Sequence, residues 1–266
     1  MSPTLDQIDL LEDTWARGVP HDQFALLRAE SPVHWHDHPT FQGFWAVTRY
    51  DDVRTVSRDH TTFSAELGSV FLMDPSETDL ELIRMTILNM DPPKHSRFRR
   101  LVSAGFKPRM INALMDHIQE LADGICDGLD GEDQIDFVER VAAELPLMVI
   151  CELLGVPVED RHLVFDWSNR MVGAQDPDFR VTEEDGEAAM AEIYVYCDAL
   201  AADRRENPRD DIMTALVEAE IDGDRLSPEE LNMFFVTLVV AGNETTRNLI
   251  AHSMQAILEF PDLKAE

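Results

Sequence analysis

The chain has 266 residues, of which 44% are hydrophobic and 28% charged, so it has enough apolar side chains for a sizeable core. Its 52 acidic residues outnumber 22 lysines and arginines and give a net charge of −30, which excludes nucleic acid or an anionic membrane as a general partner. The acidic first residues, the lack of a bilayer-length apolar run and three scattered cysteines predict a cytoplasmic protein without a membrane span or a disulfide scaffold.

The first ninety residues predict a small β portion between helices. Short strands are expected at residues 34–36 and 44–48, with helices at 23–29 and 51–57 on either side. Residues 63–89 mix glycine, proline and charge with apolar side chains, which is typical of a long loop over a binding site.

Three histidines alternate along the first of these strands. On one face of a strand, His34, His36 and His38 would be spaced for a metal ion, as in a metal-dependent hydrolase. Such triplets at an exposed strand end are more often solvated, and no other ligand is tied to them by spacing. We therefore interpret them as surface histidines and predict no metal site here.

A basic segment follows. From Pro92 to Met115 there is no acidic residue, which inverts locally the charge of a strongly acidic chain and predicts an anionic ligand. His95 and Arg99 lie one helical turn apart on a helix that begins at the proline pair, so both can donate to the same carboxylates. The alternative interpretation is a solvated basic face.

The rest of the chain predicts a helical protein. We find no repeat, low-complexity tract or linker, so residues 1–266 are expected to form one domain, mostly α with a small β portion. Amphipathic patterns predict helices at residues 110–129, 137–154, 159–172, 182–206 and 210–219.

The last predicted helix holds the most informative motif. It begins at Ser227, with a capping box, and shows no stop signal before Phe260. In its apolar middle third, an acid and an alcohol stand side by side at Glu244 and Thr245, on one face with Ala241. Burying such groups is costly without a reason, and proton delivery to a buried reaction centre is one. The alternative is a threonine bonded to its own helix and a glutamate that reaches water.

Together, the segments LNMDPPKHSRFRRLVSAGFKPR and AGNETTRN resemble the bacterial cytochrome P-450 family of haem-thiolate monooxygenases. The first is similar to the family's helix C, with its H-x-x-x-R haem-propionate clamp at His95 and Arg99. The second is similar to the oxygen-activating segment of helix I, with Glu244 and Thr245 as the acid and the alcohol. The order of elements is also similar, so the resemblance covers essentially the whole chain.

The resemblance implies roles for further residues. Thr245 would hold the bound oxygen and a water, while Glu244, with Asn243 nearby, would relay protons. Small side chains at Ala241 and Gly242 would let the cofactor approach the helix. The substrate pocket would be lined by Phe234, Thr237 and Leu238.

The resemblance also implies cofactors and partners. Haem b, O₂ and electrons from NAD(P)H would be needed, with a ferredoxin and a ferredoxin reductase as redox partners. The basic surface at Arg97, Arg100 and Lys107 would dock an acidic ferredoxin. AGNETTRN and LNMDPP are most similar to members that hydroxylate steroid side chains and branched lipids, so a long apolar substrate is expected.

The chain departs from the family pattern after this helix. It has neither the E-x-x-R helix nor the glycine-rich loop with the iron-binding cysteine. Cys126, Cys151 and Cys197 lie in helical contexts, so we interpret them as structural and expect no iron ligand. The expectation is an incomplete P-450 domain, truncated after helix I and inactive by itself. The alternative is a non-catalytic helical binding module derived from an oxygenase.

Overall fold

The structure, a computed structural model, describes residues 4–12, 18–39, 41–68, 72, 74–106, 108–173 and 181–262. The chain divides into two compact units, Met1–Ser96 and Arg97–Glu266, and each is described by itself. Helices dominate and one two-stranded sheet is present among the described residues, so the predicted mostly α class with a small β portion is confirmed. A single domain over residues 1–266 stays a prediction.

Within its described residues, the first unit has three α-helices and a β-hairpin. Its helices α1 (His21–Glu30) and α2 (Tyr50–Arg58) lie on either side of strands β1 (Val33–His36) and β2 (Phe44–Val47), as the sequence predicts. The predicted loop over residues 63–89 was wrong in part, because α3 (Glu77–Ile83) and two short 3₁₀ turns form there. Seven residues are too short for a clear helical period among the loop residues around them.

The hairpin places its histidines in different surroundings. The strands pair antiparallel with Trp35 opposite Trp45, and the two indoles make an edge contact with centroids 5.1 Å apart. His36 is buried, contrary to a surface position, and its Nε2 lies 3.4 Å from Asp9 Oδ1. His34 lies 3.1 Å from the Ser31 hydroxyl. Among the described residues, no group of three or more histidine, cysteine, aspartate or glutamate side chains is placed to hold a metal ion.

Helix α4, Lys94–Val102, includes the last residues of the first unit and the first residues of the second. The second unit continues with six helices at the positions that the amphipathic patterns predict. These are α5 (Pro108–Asp127), α6 (Glu144–Leu154), α7 (Arg161–Gly173), α8 (Glu183–Glu206), α9 (Ile212–Glu218) and α10 (Pro228–Glu259).

The helix predicted at residues 137–154 is interrupted. A π-helical turn spans Val138–Ala142, and α6 starts only at Glu144. Pro146 explains the restart, because a proline has no N–H to donate and is tolerated only in the first turn of a helix. The new start places Pro146 within that first turn.

Helix α10 forms the centre of the second unit over its first half only. It packs against α6, α7 and α8, and Phe235 and Val239 are completely buried. Beyond residue 244 most side chains are exposed, including Leu249 at 66% and Leu258 at 73%. Helix α10 is therefore a buried, central element only over its N-terminal half. Over the described residues, no helix has the length and apolarity needed to span a membrane.

A buried arginine near the end of α8 forms hydrogen bonds to the start of α9 and the end of α6. Arg204 on α8 is 1% exposed, and its Nε donates to Asp211, the N-cap of α9, at 2.6 Å. Its Nη2 donates to the carbonyl of Gly155 at the end of α6, also at 2.6 Å. Gly155 has a φ of +76°, and a side chain there would collide with the Asp211 carboxylate. This glycine is required for both its backbone conformation and its lack of a side chain.

Candidate functional site

The start of α10 is fixed by a capping box. The Glu230 N–H donates to Ser227 Oγ at 3.1 Å, and the Ser227 N–H donates to Glu230 Oε2 at 2.9 Å. Pro228 occupies the first turn, where no N–H is needed. The predicted start of this helix is confirmed.

Thr245 lies on an exposed face of α10 rather than in the core. Ala241, Thr245 and Leu249 follow each other at helical spacing, and all three are exposed. The Thr245 hydroxyl donates to the carbonyl of Ala241 at 2.7 Å. The assumption that Thr245 is buried was therefore wrong, and the bond to its own helix is the one that the alternative interpretation expected.

Glu244 is turned away from Thr245, towards α7. Its carboxylate forms an ion pair with Arg247, one turn further along α10, with side chains only 17% and 13% exposed. Arg247 Nη1 also lies 3.5 Å from Asn169 Oδ1 on α7. Glu244 is thus half-buried and paired, and does not reach freely into water as the alternative expected.

Between α10 and its neighbours, Asn243 and Gly242 fill narrow spaces. Asn243 is completely buried, and its Nδ2 lies 3.4 Å from the hydroxyl of Ser168, which is also buried. A methyl group at Gly242 would lie 3.1 Å from Ile150 on α6. The small size of Gly242 therefore allows α10 to pack closely against Ile150 on α6. A contact between Gly242 and a cofactor stays a prediction.

The three predicted pocket residues occupy one side of the buried half of α10. Phe234 is buried, with edge contacts to Phe98 at 5.7 Å and Phe106 at 6.5 Å between centroids. Thr237 donates its hydroxyl to the Met233 carbonyl at 2.8 Å, and Leu238 is half-buried. Phe234 is thus part of a packed aromatic cluster, while the pocket role of all three residues stays a prediction.

The basic residues of α4 divide into two kinds. Arg99 is exposed, and within the described residues its guanidinium forms no hydrogen bond or ion pair. His95 lies four residues earlier on α4 and is half-buried. Arg97, in contrast, is paired with Asp224 and Glu230. A docking role for Arg97 has no support, because two carboxylates already compensate its charge; Lys107 lies outside the described residues.

The cysteines show no sign of a reactive thiolate. Cys151 and Cys197 are completely buried, and burial raises the pKa of each thiol to about 12, so both stay protonated near neutral pH. Cys126 is exposed on α5. Burial of Cys151 and Cys197 agrees with a structural role for these two, whereas the structural role of the exposed Cys126 stays a prediction.

No family model matches the chain. The steroid C26-monooxygenase of Rhodococcus jostii strain RHA1 is 44% identical over 259 residues, which cover 94% of this chain and 54% of that protein. The methyl-branched lipid omega-hydroxylase of Mycobacterium bovis is 36% identical over 261 residues, covering 94% and 60%. The structure of cytochrome P450 CYP268A2 from Mycobacterium marinum in complex with pseudoionone matches with a TM-score of 0.85 and 38% identity, covering 98% of this chain and 66% of that one.

The chain belongs to the cytochrome P450 family. Its fold is that of a cytochrome P450 truncated part-way along the chain. The chain spans about half to two thirds of the length of these relatives.

Some residues around the P450 motifs were not predicted from the sequence. Arg247 had a readable signal, because an arginine three residues after a glutamate pairs with it on a helix. Ser168 and Asn169 had none, since their contact with α10 spans more than 70 residues of chain.

Proposed function

We propose that this chain is part of a haem-dependent monooxygenase that inserts one atom of O₂ into a C–H bond of an apolar substrate, a steroid or a methyl-branched lipid. Two features carry the proposal: Arg99 on α4 has no partner among the described residues, and α10 exposes a face of small side chains, Ala241 and Thr245. A flat, dianionic cofactor needs both a cation and a surface without bulky side chains. Relatives of this chain include a steroid C26-monooxygenase and a methyl-branched lipid omega-hydroxylase.

The residues present fit haem b. Arg99 would bind a propionate with a charge-assisted hydrogen bond, and His95 on the same helix would add a second donor. Haem, when bound through a cysteine thiolate, supplies the activation of O₂. Cys151 and Cys197 are buried thiols with raised pKa values, and Cys126 lies within helix α5 rather than in a loop. We therefore expect residues 1–266 expressed by themselves to form no product.

The proton chemistry falls to Thr245 and Glu244. Because the Thr245 O–H is donated to the Ala241 carbonyl, its oxygen has lone pairs free to accept a hydrogen bond on the exposed face. Thr245 would thereby hold a water molecule on this face, and that water would be the proton donor. Glu244, which is paired with Arg247, would carry protons from the α7 side of the helix once its carboxylate leaves that ion pair.

The test begins with haem binding by the gene product that contains residues 1–266. We expect stoichiometric binding, and Arg99→Ala should weaken it by roughly ten- to a hundredfold, the loss of one charge-assisted hydrogen bond. With NAD(P)H, a ferredoxin and its reductase, a steroid and a methyl-branched fatty acid are then assayed for hydroxylated product. A parent protein without haem absorbance would overturn the proposal and favour the non-catalytic helical module.

A further inference from the structure

Arg97 is the most heavily bonded side chain on α4. Its guanidinium binds both carboxylate oxygens of Asp224. Nε donates to Oδ2 at 2.5 Å, and Nη2 donates to Oδ1 at 2.7 Å. Nη1 donates to Glu230 Oε1 at 2.7 Å, and Nη2 donates to the Arg225 carbonyl at 2.9 Å. Asp224 and Glu230 together raise the pKa of Arg97, so the charge is permanent.

The backbone of Asp224 and the carboxylate of Glu230 are each held in place by contacts that do not involve Arg97. Asp224 closes a tight turn with Ile221, and the two residues between them, Asp222 and Gly223, have φ values of 56° and 82°, as a two-residue hairpin turn requires. Glu230 uses its other oxygen in the capping box of α10. Arg97 therefore connects α4 to two fixed points at the start of α10.

The adjacent contact between the same helices is apolar. Phe98 makes an edge contact with Phe234, one turn after Glu230. Apolar contacts are largely non-directional, and alternative packings of two phenylalanines differ little in free energy. The guanidinium fork is directional, because its donors fit the carboxylates in one orientation only. The Arg97 network is thus the contact that can select one register of α10 against α4.

We propose that Arg97 is a positioning residue for the cofactor site: it fixes the start of α10 against α4 and so holds the Ala241 and Thr245 face in a set orientation towards Arg99. Thr245 lies 15 residues after Glu230, about 22 Å along the helix axis. A slip of one residue at the start would rotate that face by about 100°. This inference rests on the proposed function, because the face matters only if a cofactor binds there.

The first experiment measures haem affinity of the full gene product carrying Arg97→Met or Arg97→Lys. We expect Arg97→Met to weaken haem binding by about ten- to a hundredfold, the range typical of residues that orient primary ligands. Arg97→Lys should lose most of the same affinity, because a lysine keeps the charge but cannot bond to both carboxylates as a fork. Arg205→Met, which removes an exposed arginine on α8 away from the Arg97 network, should leave haem affinity unchanged.

A double-mutant cycle separates positioning from a general loss of stability. If Arg97 acts through Arg99, then Arg97→Met should cost clearly less haem affinity in an Arg99→Ala background than in the parent. Additive losses, or a fall in Tm with unchanged haem affinity, would overturn the inference. Asp224→Asn provides a milder variant should Arg97→Met not fold, and it should show the same non-additivity.

The two proposals fail in different ways. A parent protein that binds no haem removes the proposed function and this inference with it. A parent that binds haem normally, with additive losses in the cycle, removes only the inference. In that case Arg97 is a fold-stabilising residue without influence on the cofactor site.

Discussion

At the residue scale, the acid and the alcohol of α10 have separate hydrogen-bond partners. Thr245 donates to the backbone of its own helix, and Glu244 pairs with Arg247 on the side of α7. Adjacent residues on a helix point about 100° apart, so the two groups cannot exchange a proton directly without rearrangement. The arrangement predicts that Thr245 acts as an acceptor that holds water, rather than as the donor.

Removing the Thr245 hydroxyl tests this role. In the haem-loaded gene product, Thr245→Val should lower the yield of hydroxylated product per NAD(P)H by about tenfold, with hydrogen peroxide formed instead. The valine cannot hold the water that donates the proton. Thr245→Ser keeps the hydroxyl and should retain most of the yield. Haem affinity should be equal in all three proteins. A valine variant with parental yield would rule out the assigned role.

Gly155 allows a matched test of the buried Arg204 network. Gly155→Ala should lower the free energy of unfolding by roughly 3 to 5 kcal/mol, because the methyl displaces a carboxylate from a buried ion pair. Gly131→Ala is the control, since Gly131 also has a positive φ but open space around it, and should cost only about 1 to 2 kcal/mol of backbone strain. Urea denaturation measures both values. Equal losses would mean that the space beside Gly155 is not limiting.

At the element scale, a single carboxylate connects three helices. Glu152 on α6 lies 2.6 Å from His117 Nε2 on α5 and accepts from Arg161 Nη2 on α7, also at 2.6 Å. The other ring nitrogen of His117 lies 3.1 Å from Glu120. Glu120 and then Glu152 raise the pKa of His117 above its ordinary value. The protonated imidazole is thus the form that this helix contact favours.

The raised pKa of His117 predicts a pH-dependent contribution to stability. The contribution is fully present below the ordinary histidine pKa of about 6.5 and is lost as pH rises through the higher pKa of the folded state. The difference in free energy of unfolding between the parent and His117→Gln should therefore be larger at pH 5.5 than at pH 9. His252→Gln, which removes an exposed histidine of α10 outside this contact, is measured in parallel as the control. A difference that grows with pH would contradict the assigned pairing.

At the scale of the whole molecule, local signals predicted most of the secondary structure. Capping boxes, proline and apolar period are properties of neighbouring residues, and they located α10 and the five helices before it to within a few residues. The exceptions are α3, which is short, and the turn before α6, which Pro146 imposes. Both are places where the local pattern is too brief or is overridden.

Contacts between side chains that lie far apart in the chain could not be predicted from the sequence. The sequence analysis assigned Arg99 to propionate binding and Arg97 to a docking surface for ferredoxin. In the structure, Arg97 instead binds residues 127 and 133 positions away, while Arg99 has no partner among the described residues. Charge alone cannot tell which arginine is compensated within the fold. In the same way, the apolar sequence around Thr245 suggested burial, although the helix exposes that face.

The change of burial along α10 also determines how the helix opens. Backbone amides near Phe235 lie in a completely buried segment, so their hydrogens can exchange with solvent only when the second unit unfolds. Amides near Leu258 lie in a segment with few packed neighbours and can exchange through fraying of the helix end. One continuous helix of 32 residues therefore has a stable, buried N-terminal half and a C-terminal half that opens more readily. The Ala241 and Thr245 face lies at the boundary between these two halves.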